Sequence, residues 1–352
     1  MDIPIEWPVK PMLAKLVDEV PAPDAVPGGY AYEPKWDGFR CIVLHAGDTV
    51  ELGSRNQRPL TRYFPEVVAH VRDAVPGGCA IDGELVVRRG GRGAQRLDWD
   101  ALSQRIHPAE SRVTRLAGET PAEFVAFDVL MADGRDITGE AFERRRAVLE
   151  QLFERIPGGH GLHLTRTTRD TGTARTWFDQ FEGAGLDGVV AKPLADTYHP
   201  DKRAMLKIKH KRTAEAVVWG YRPHTRGIGV GSLLLAMYDD EGGLVPVGGV
   251  GAFPDAVRRS LAEDLDPLVE RDDSGAAVTG QGERSRFSAS KDASFVRLRP
   301  ELVVEVAFDQ LEGRRFRHAV TLLRWRPDRD PRSCLLSQVD TPASYDLAQV
   351  LG

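Results

Sequence analysis

One tetrapeptide, Lys35-Trp36-Asp37-Gly38, constrains this chain more than any other stretch. It sits in the run Glu33-Pro34-Lys35-Trp36-Asp37-Gly38-Phe39-Arg40. A lysine two residues before an Asp-Gly pair can serve as a covalent nucleophile, with a carboxylate and a backbone bend beside the amine. A lysine open to water has a pKa of about 10.4 and is protonated at neutral pH, so it does not attack. Burial or neighbouring cations favour the neutral amine and make attack feasible. By chance, Lys-x-Asp-Gly occurs in roughly one chain in ten of this size. Its meaning therefore rests on its surroundings.

Strand signals recur around this point. The apolar stretch Phe39 to Ala46 turns at Gly47-Asp48 and resumes at Val50 to Leu52, which predicts a hairpin. Cys79 to Val87, Phe124 to Met131 and Asp187 to Lys192 are further β-type runs bounded by turn residues. Leu149, Leu152, Phe153 and Ile156 are spaced for one face of a helix ended by Pro157-Gly158. Trp177, Phe178 and Phe181 make a second such face. These features predict an α+β domain of sheets and helices over residues 1–212. After Arg212 the character changes. Ala214 to Tyr221, Ser232 to Tyr238, Leu244 to Val250, Phe295 to Leu298 with Leu302 to Phe308, and Ala319 to Trp325 read as strands. A helix from about Pro254 to Leu265 interrupts them, with Val257, Leu261 and Leu265 on one face. Short strands with one helix suit an oligonucleotide-binding (OB) fold β-barrel over 213–340, leaving 341–352 as a C-terminal tail. Polar Asp272 to Ser290 reads as a mobile loop.

The lysine motif has ordered company: Ser54-Arg55-Asn56, Asp82-Gly83-Glu84-Leu85-Val86, Phe124 to Leu130 around Phe127-Asp128, and Asp187-Gly188-Val189-Val190-Ala191-Lys192. Leu206-Lys207-Ile208-Lys209 follows, and Arg324-Trp325-Arg326-Pro327-Asp328-Arg329 lies near the end. The set resembles the motifs of the covalent nucleotidyltransferases, which are ATP-dependent DNA ligases, RNA ligases and capping guanylyltransferases. From Pro11-Met12-Leu13-Ala14 to about Pro331, the chain is most similar to short bacterial DNA ligases of the actinobacterial ligase C type and to the ligase domain of ligase D.

The resemblance implies three phosphoryl transfers. Lysine attacks the α-phosphate of ATP, AMP passes to the 5′-phosphate at a nick, and the 3′-hydroxyl displaces AMP. It makes Lys35 the nucleophile and Asp37 its positioning partner. Glu33 matches a contact to adenine, Arg40 one to sugar or phosphate, and Arg55 one to an anionic phosphate. Glu84 matches a carboxylate facing ribose and metal, and Phe127 the aromatic that stacks on adenine. Taken without the resemblance, Phe127 in so apolar a run reads as core. Asp187 stands where the family commonly has Glu as metal ligand; one methylene shorter, it would reach the metal through water. Lys207 and Lys209 alternate on a strand and would meet the α-phosphate from one face. Arg324, Arg326, Asp328 and Arg329 match a motif that acts on the leaving pyrophosphate, with Arg329 where Lys is usual. The OB domain would close over the nucleotide for that step about a hinge at Lys211 to Ala214.

Mg²⁺ or Mn²⁺ is the expected metal, since hard oxygen ligands suit both ions. Cys41, Cys79 and Cys334 are too scattered for a zinc site or a disulfide framework and read as buried, inert thiols. His160 and His163 flank Gly161 in an expected surface loop. A net charge of −5 is unusual for a partner of nicked duplex DNA, but cations cluster in Lys202 to Arg212 and Arg314 to Arg329. With no apolar run of about 18 residues and no signal-peptide pattern at the start, the expectation is a cytoplasmic monomer in DNA repair, without membrane contact. Two other readings stand beside it. An RNA ligase or capping enzyme shares Lys-x-Asp-Gly, but the terminal motif and the OB domain disfavour an RNA ligase that lacks that domain. A nick-binding module without catalysis would have no need of the nucleophile.

Overall fold

The apolar run Phe39–Ala46 is buried on both faces, and this decides how the first part of the chain is layered. Cys41 and Val43 pack with Val67 and Val71 of the helix Pro65–Ala74 and with Leu149 and Leu152 of the helix Phe142–Phe153. Ile42 and Leu44 face the other way, against Met12, Tyr198 and Met205. A computed structural model of the protein describes residues 3–91, 93–159, 161–210, 212–281, 294–339 and 344–351. It divides into two compact units, residues 1–209 with 342–352, and residues 210–341. The chain therefore both enters and leaves the second unit from the first.

In the first unit Phe39–Ala46 belongs to a seven-stranded sheet, between Thr49–Ser54 and Cys79–Arg89, with Ala122–Ala132 beyond. A four-stranded sheet runs Leu13–Val17, Arg203–Ile208, Val189–Pro193, Tyr30–Pro34; its first pair is parallel and the others antiparallel. Its outer face is covered by the helix Thr171–Phe181, through Ala174, Trp177 and Phe178. Asp170 caps that helix, accepting from the Thr173 N–H at 2.6 Å. The layers are thus helices, sheet, sheet, helix, an α+β arrangement.

The segment read as a tail packs within the first unit. Leu347 and Val350 are fully buried in a cluster with Trp36, Val125 and Phe127, and Tyr345 lies against Phe181. Leu347 N–H donates to Gln95 C=O at 2.8 Å, and Gln95 N–H to the Asp346 carboxylate at 3.1 Å. Leu347, Val350 and Leu351, at i, i+3 and i+4, explain the docking together with Tyr345, but one turn of such spacing is too short a pattern to read as a helix.

The second unit is a curled sheet in the order Leu244–Val250, Val230–Tyr238, Arg212–Pro223, Ser294–Phe308, with Thr321–Trp325 on the last. A bridge from Val250 to Val320 joins the first strand to the residue preceding the fifth, and the sheet closes as the OB-type barrel. Two expected strands at Phe295 to Phe308 form one. The helix Asp255–Leu265 packs through Leu261 and Leu265, while Val257 is exposed. Arg258 takes the place expected of Val257, its guanidinium donating to Val230 and Gly231 carbonyls at 2.9 Å. The expected loop Asp272 to Ser290 contains a short strand, Thr279–Gln281, and residues 282–290 lie outside the described residues. Of the expected hinge, Lys211 lies outside them too, and Arg212 to Ala214 already belong to a strand. The three cysteines are free and buried, and burial pushes Cys79 and Cys334 up to about 11. His160 lies outside the described residues; His163 pairs with Glu123 at 2.6 Å.

Candidate active site

Lys35 stands one residue past the strand Tyr30–Pro34, where the ladder with Val189–Pro193 continues. Lys35 N–H donates to Gly188 C=O, and Asp187 N–H donates to Lys35 C=O, both at 2.9 Å. This carries the Asp187 carboxylate to the lysine amine, Oδ2 to Nζ 2.6 Å, and to Lys209 Nζ, also 2.6 Å. Gly188 makes the approach possible: its φ is +127°, and a Cβ there would lie 2.0 Å from the Ile208 carbonyl. Gly38 does the same on the other flank. A Cβ at Gly38 would lie 2.1 Å from Leu85 C=O, and its N–H donates to Glu84 Oε1 at 3.2 Å. Between them the Trp36 indole is buried and donates to Thr165 Oγ1 at 2.8 Å, which anchors the residue next to Lys35.

Burial by itself would push the Lys35 amine down, but Asp187, then Asp37 and Glu84, pull it up, and the net direction is up. In this arrangement the lysine is a cation, contrary to the expectation of an amine made neutral by its surroundings. Asp187 is held low: burial raises it, but Lys35 and Lys209 outweigh that. Lys207 is pushed down by burial first, then by Lys209 and Lys35; Arg55 adds to the effect from the exposed turn after Thr49–Ser54. Glu84 is pushed up to about 7 by burial, with Asp37 and Asp82 adding and Arg40 and Lys35 opposing. The site thus gathers Lys35, Asp37, Arg55, Glu84, Asp187, Lys207 and Lys209.

Three other expected contacts are already engaged by protein. Arg40 forms a two-pronged pair with Asp82, both distances 2.6 Å, and its guanidinium lies 4.4 Å from the centre of the Phe127 ring. Lys192 lies 4.7 Å from the same ring and pairs with buried Glu33 at 2.8 Å. Phe127 is buried at 7 % exposure, in the cluster that holds Trp36. Glu33 keeps one buried oxygen, Oε1, without a hydrogen-bond partner among the described residues. Asp82, Thr165, Lys192 and Tyr198, whose hydroxyl donates to Asp82 at 2.7 Å, were not assigned from sequence. Asp82 and Lys192 lay inside quoted motifs, so their positions carried a signal; Thr165 and Tyr198 carried none.

Arg324, Arg326, Asp328 and Arg329 belong to the second unit. Arg326 forks onto Asp328, Nε–Oδ1 2.9 Å and Nη2–Oδ2 2.8 Å, and its Nη1 meets Glu215. Arg329 Nε lies 2.6 Å from Glu215, and Arg324 Nε donates to Glu305 at 2.6 Å. The Arg326 fork holds the Asp328 carboxyl down at about 2.

An amine set among cations that attract phosphate is what transfer of a nucleotide onto lysine requires, and this places the chain among nucleotidyltransferases. Residues 11–209 match the ATP dependent DNA ligase domain, and residues 226–329 the ATP dependent DNA ligase C terminal region. The chain belongs to the ATP-dependent DNA ligases. DNA ligase C of Mycobacterium tuberculosis is 51% identical, over 100% of this chain and 99% of its own. The multifunctional non-homologous end joining DNA repair protein LigD of the same species is 32% identical, over 86% of this chain and 37% of its own. A solved Lig E DNA ligase, at 19% identity, shares the fold with a TM-score of 0.55 over 90% of this chain and 99% of that one.

Proposed function

We propose that the chain seals nicks between a 3′-hydroxyl and a 5′-phosphate in duplex DNA, using ATP, with Lys35 as the residue that carries AMP, and that it does so in repair. The observation that carries this reading is Lys35 held between Asp187 and the cations of the Leu206 to Lys209 strand end. Lys35 Nζ attacks the α-phosphorus, the bond to the pyrophosphate oxygen breaks, and AMP is left on nitrogen. As found, the amine is protonated and paired, so it becomes nucleophilic once Asp187 is drawn off it and Lys207 and Lys209 oppose its protonation. Asp37 orients it. Arg55, Lys207 and Lys209 take the phosphate oxygens. The unpartnered Glu33 oxygen supports a contact to the adenine amine. Phe127 meets the base on a face that Arg40 covers here, so Arg40 turns toward sugar or phosphate as nucleotide enters.

Mg²⁺ or Mn²⁺ fits Glu84 and Asp187, two oxygen donors that both act on Lys35. Among the described residues no group of three or more His, Cys, Asp or Glu side chains is placed to hold a metal, so the phosphates of ATP would supply the remaining ligands. Bound there, the ion would neutralise phosphate charge. Arg324, Arg326 and Arg329 neutralise the leaving pyrophosphate, and Asp328 orients it.

The proposal includes a monomer working in the cytoplasm, where its DNA lies. In support, no described helix is long and apolar enough to cross a membrane. The direct test is incubation with ATP, Mg²⁺ and a labelled nicked duplex, beside an otherwise identical nicked RNA. Sealing of DNA but not RNA is expected; sealing of RNA alone, or no sealing, overturns the reading.

A further inference from the structure

Glu215 and Glu305 face each other directly across two antiparallel strands of the barrel. Like charges in that position repel, and a sheet tolerates them only if counter-charges lie on them. Here the counter-charges are the arginines of the terminal motif. Glu215 meets Arg326 and Arg329, and Glu305 meets Arg324, its cross-strand neighbour on the other side, with Arg326 3.6 Å away. Together with Asp328, three carboxylates balance three guanidinium groups, so the motif is electrically neutral as it stands. Three of the five N–H groups of Arg326 are engaged by carboxylates, with one on each nitrogen: Nε and Nη2 hold Asp328, and Nη1 holds Glu215. A phosphate that takes the two-pronged Nε/Nη2 edge must displace Asp328, and one that approaches Nη1 competes with Glu215. A cavity of about 330 Å³ lined by Glu215, Glu305, Arg326 and Gln338 adjoins the cluster and gives the guanidinium room to turn.

We propose that Glu215 and Glu305 are positioning residues that hold the terminal arginines in a parked state and compete for them with the β- and γ-phosphates of ATP. This rests on the reading that those arginines act on the leaving pyrophosphate. The two carboxylates stand in for the diphosphate, and the pair sets how much ATP the first step needs. Releasing the arginines leaves two facing carboxylates uncompensated, which returns the arginines once pyrophosphate has gone.

The test measures lysyl-AMP formation against ATP concentration for the full chain, Glu215→Gln, Glu305→Gln and Glu215→Asp. Either Gln variant removes one competing charge and relieves the cross-strand repulsion. The half-saturating ATP concentration should fall by roughly fivefold, what loss of one partly screened ion pair is worth. Glu215→Asp, which keeps the charge one methylene further back, should fall between Glu215→Gln and the unmodified chain. Sealing of a nick supplied with a 5′-adenylate is followed in parallel, because a folding defect lowers both activities together. An unchanged or raised half-saturating concentration in both Gln variants overturns the parking. Arg326→Ala separates this failure from that of the underlying reading. If it retains self-adenylation, the arginine has no role at the leaving group and both are wrong. If it loses self-adenylation while the Gln variants behave like the unmodified chain, only the parking is wrong.

Discussion

Replacing Glu84 by Gln should stabilise the protein above neutral pH while abolishing its activity. The Glu84 carboxyl sits at about 7 rather than 4.5 because burial disfavours its charge more than Arg40 and Lys35 relieve it, with Asp37 and Asp82 adding smaller contributions to the cost. Between those two values the folded protein binds more protons than the unfolded chain, so stability declines as pH rises through the interval. Below about 4.5 the group costs nothing; above about 7 the full cost is present. At about 1.4 kcal/mol per pH unit the interval corresponds to about 3 kcal/mol for a fully buried group. Glu84 is only partly covered, and solvent screening brings the expectation to about 1–2 kcal/mol. Gln removes the charge and keeps an oxygen for the Gly38 N–H. Urea unfolding at pH 5 and pH 8.5 reads the difference. The variant should match the parent near pH 5 and exceed it by that amount at pH 8.5, and Mg²⁺ should stabilise the parent more. Equal stability at both pH values, or a less stable variant at the higher one, would show that Glu84 is not a strained carboxylate awaiting a cation.

Leu347→Ala should cost the first unit about 2–5 kcal/mol in urea unfolding, because the side chain is wholly buried against Trp36 and Phe127; a loss under 1 kcal/mol would mean that the C-terminal segment merely rests there. Arg329→Ala should lose self-adenylation and still seal a pre-adenylated nick, with equal loss of both steps counting against a leaving-group role. Affinity for nicked duplex should drop steeply between low and physiological salt as lysines and arginines displace counterions, and a flat response would contradict a phosphate-dominated interface.

The cluster around Lys35 was legible because its parts are local: Lys35, Asp37 and Gly38 adjoin in sequence, and Asp187, Lys207 and Lys209 lie in short strand-end motifs of the same sheet. The charge state of Lys35 was not, because it depends on the Asp187 carboxylate arriving 152 residues later at 2.6 Å. Phe39–Ala46 announced a strand; its burial on both faces shows only once its neighbours on either side are in place. Leu347, Val350 and Leu351 went unread, because three apolar residues within one turn are too few to establish a period. Val257 had helical spacing with Leu261 and Leu265, yet Arg258 covers the barrel instead, since its long stem and fork satisfy two carbonyls. The arginines of the terminal motif were readable as cations; that Glu215 and Glu305 neutralise them follows only from strand register.

The central claim is that Lys35 carries AMP. The protein incubated with α-labelled ATP and Mg²⁺, then denatured and digested, should hold the label on the peptide containing Lys35 through an acid-labile bond to nitrogen, and Lys35→Ala should hold none while sealing a pre-adenylated nick in part. Label that persists on Lys35→Ala, or maps to Lys207 or Lys209 in the parent, would contradict the account.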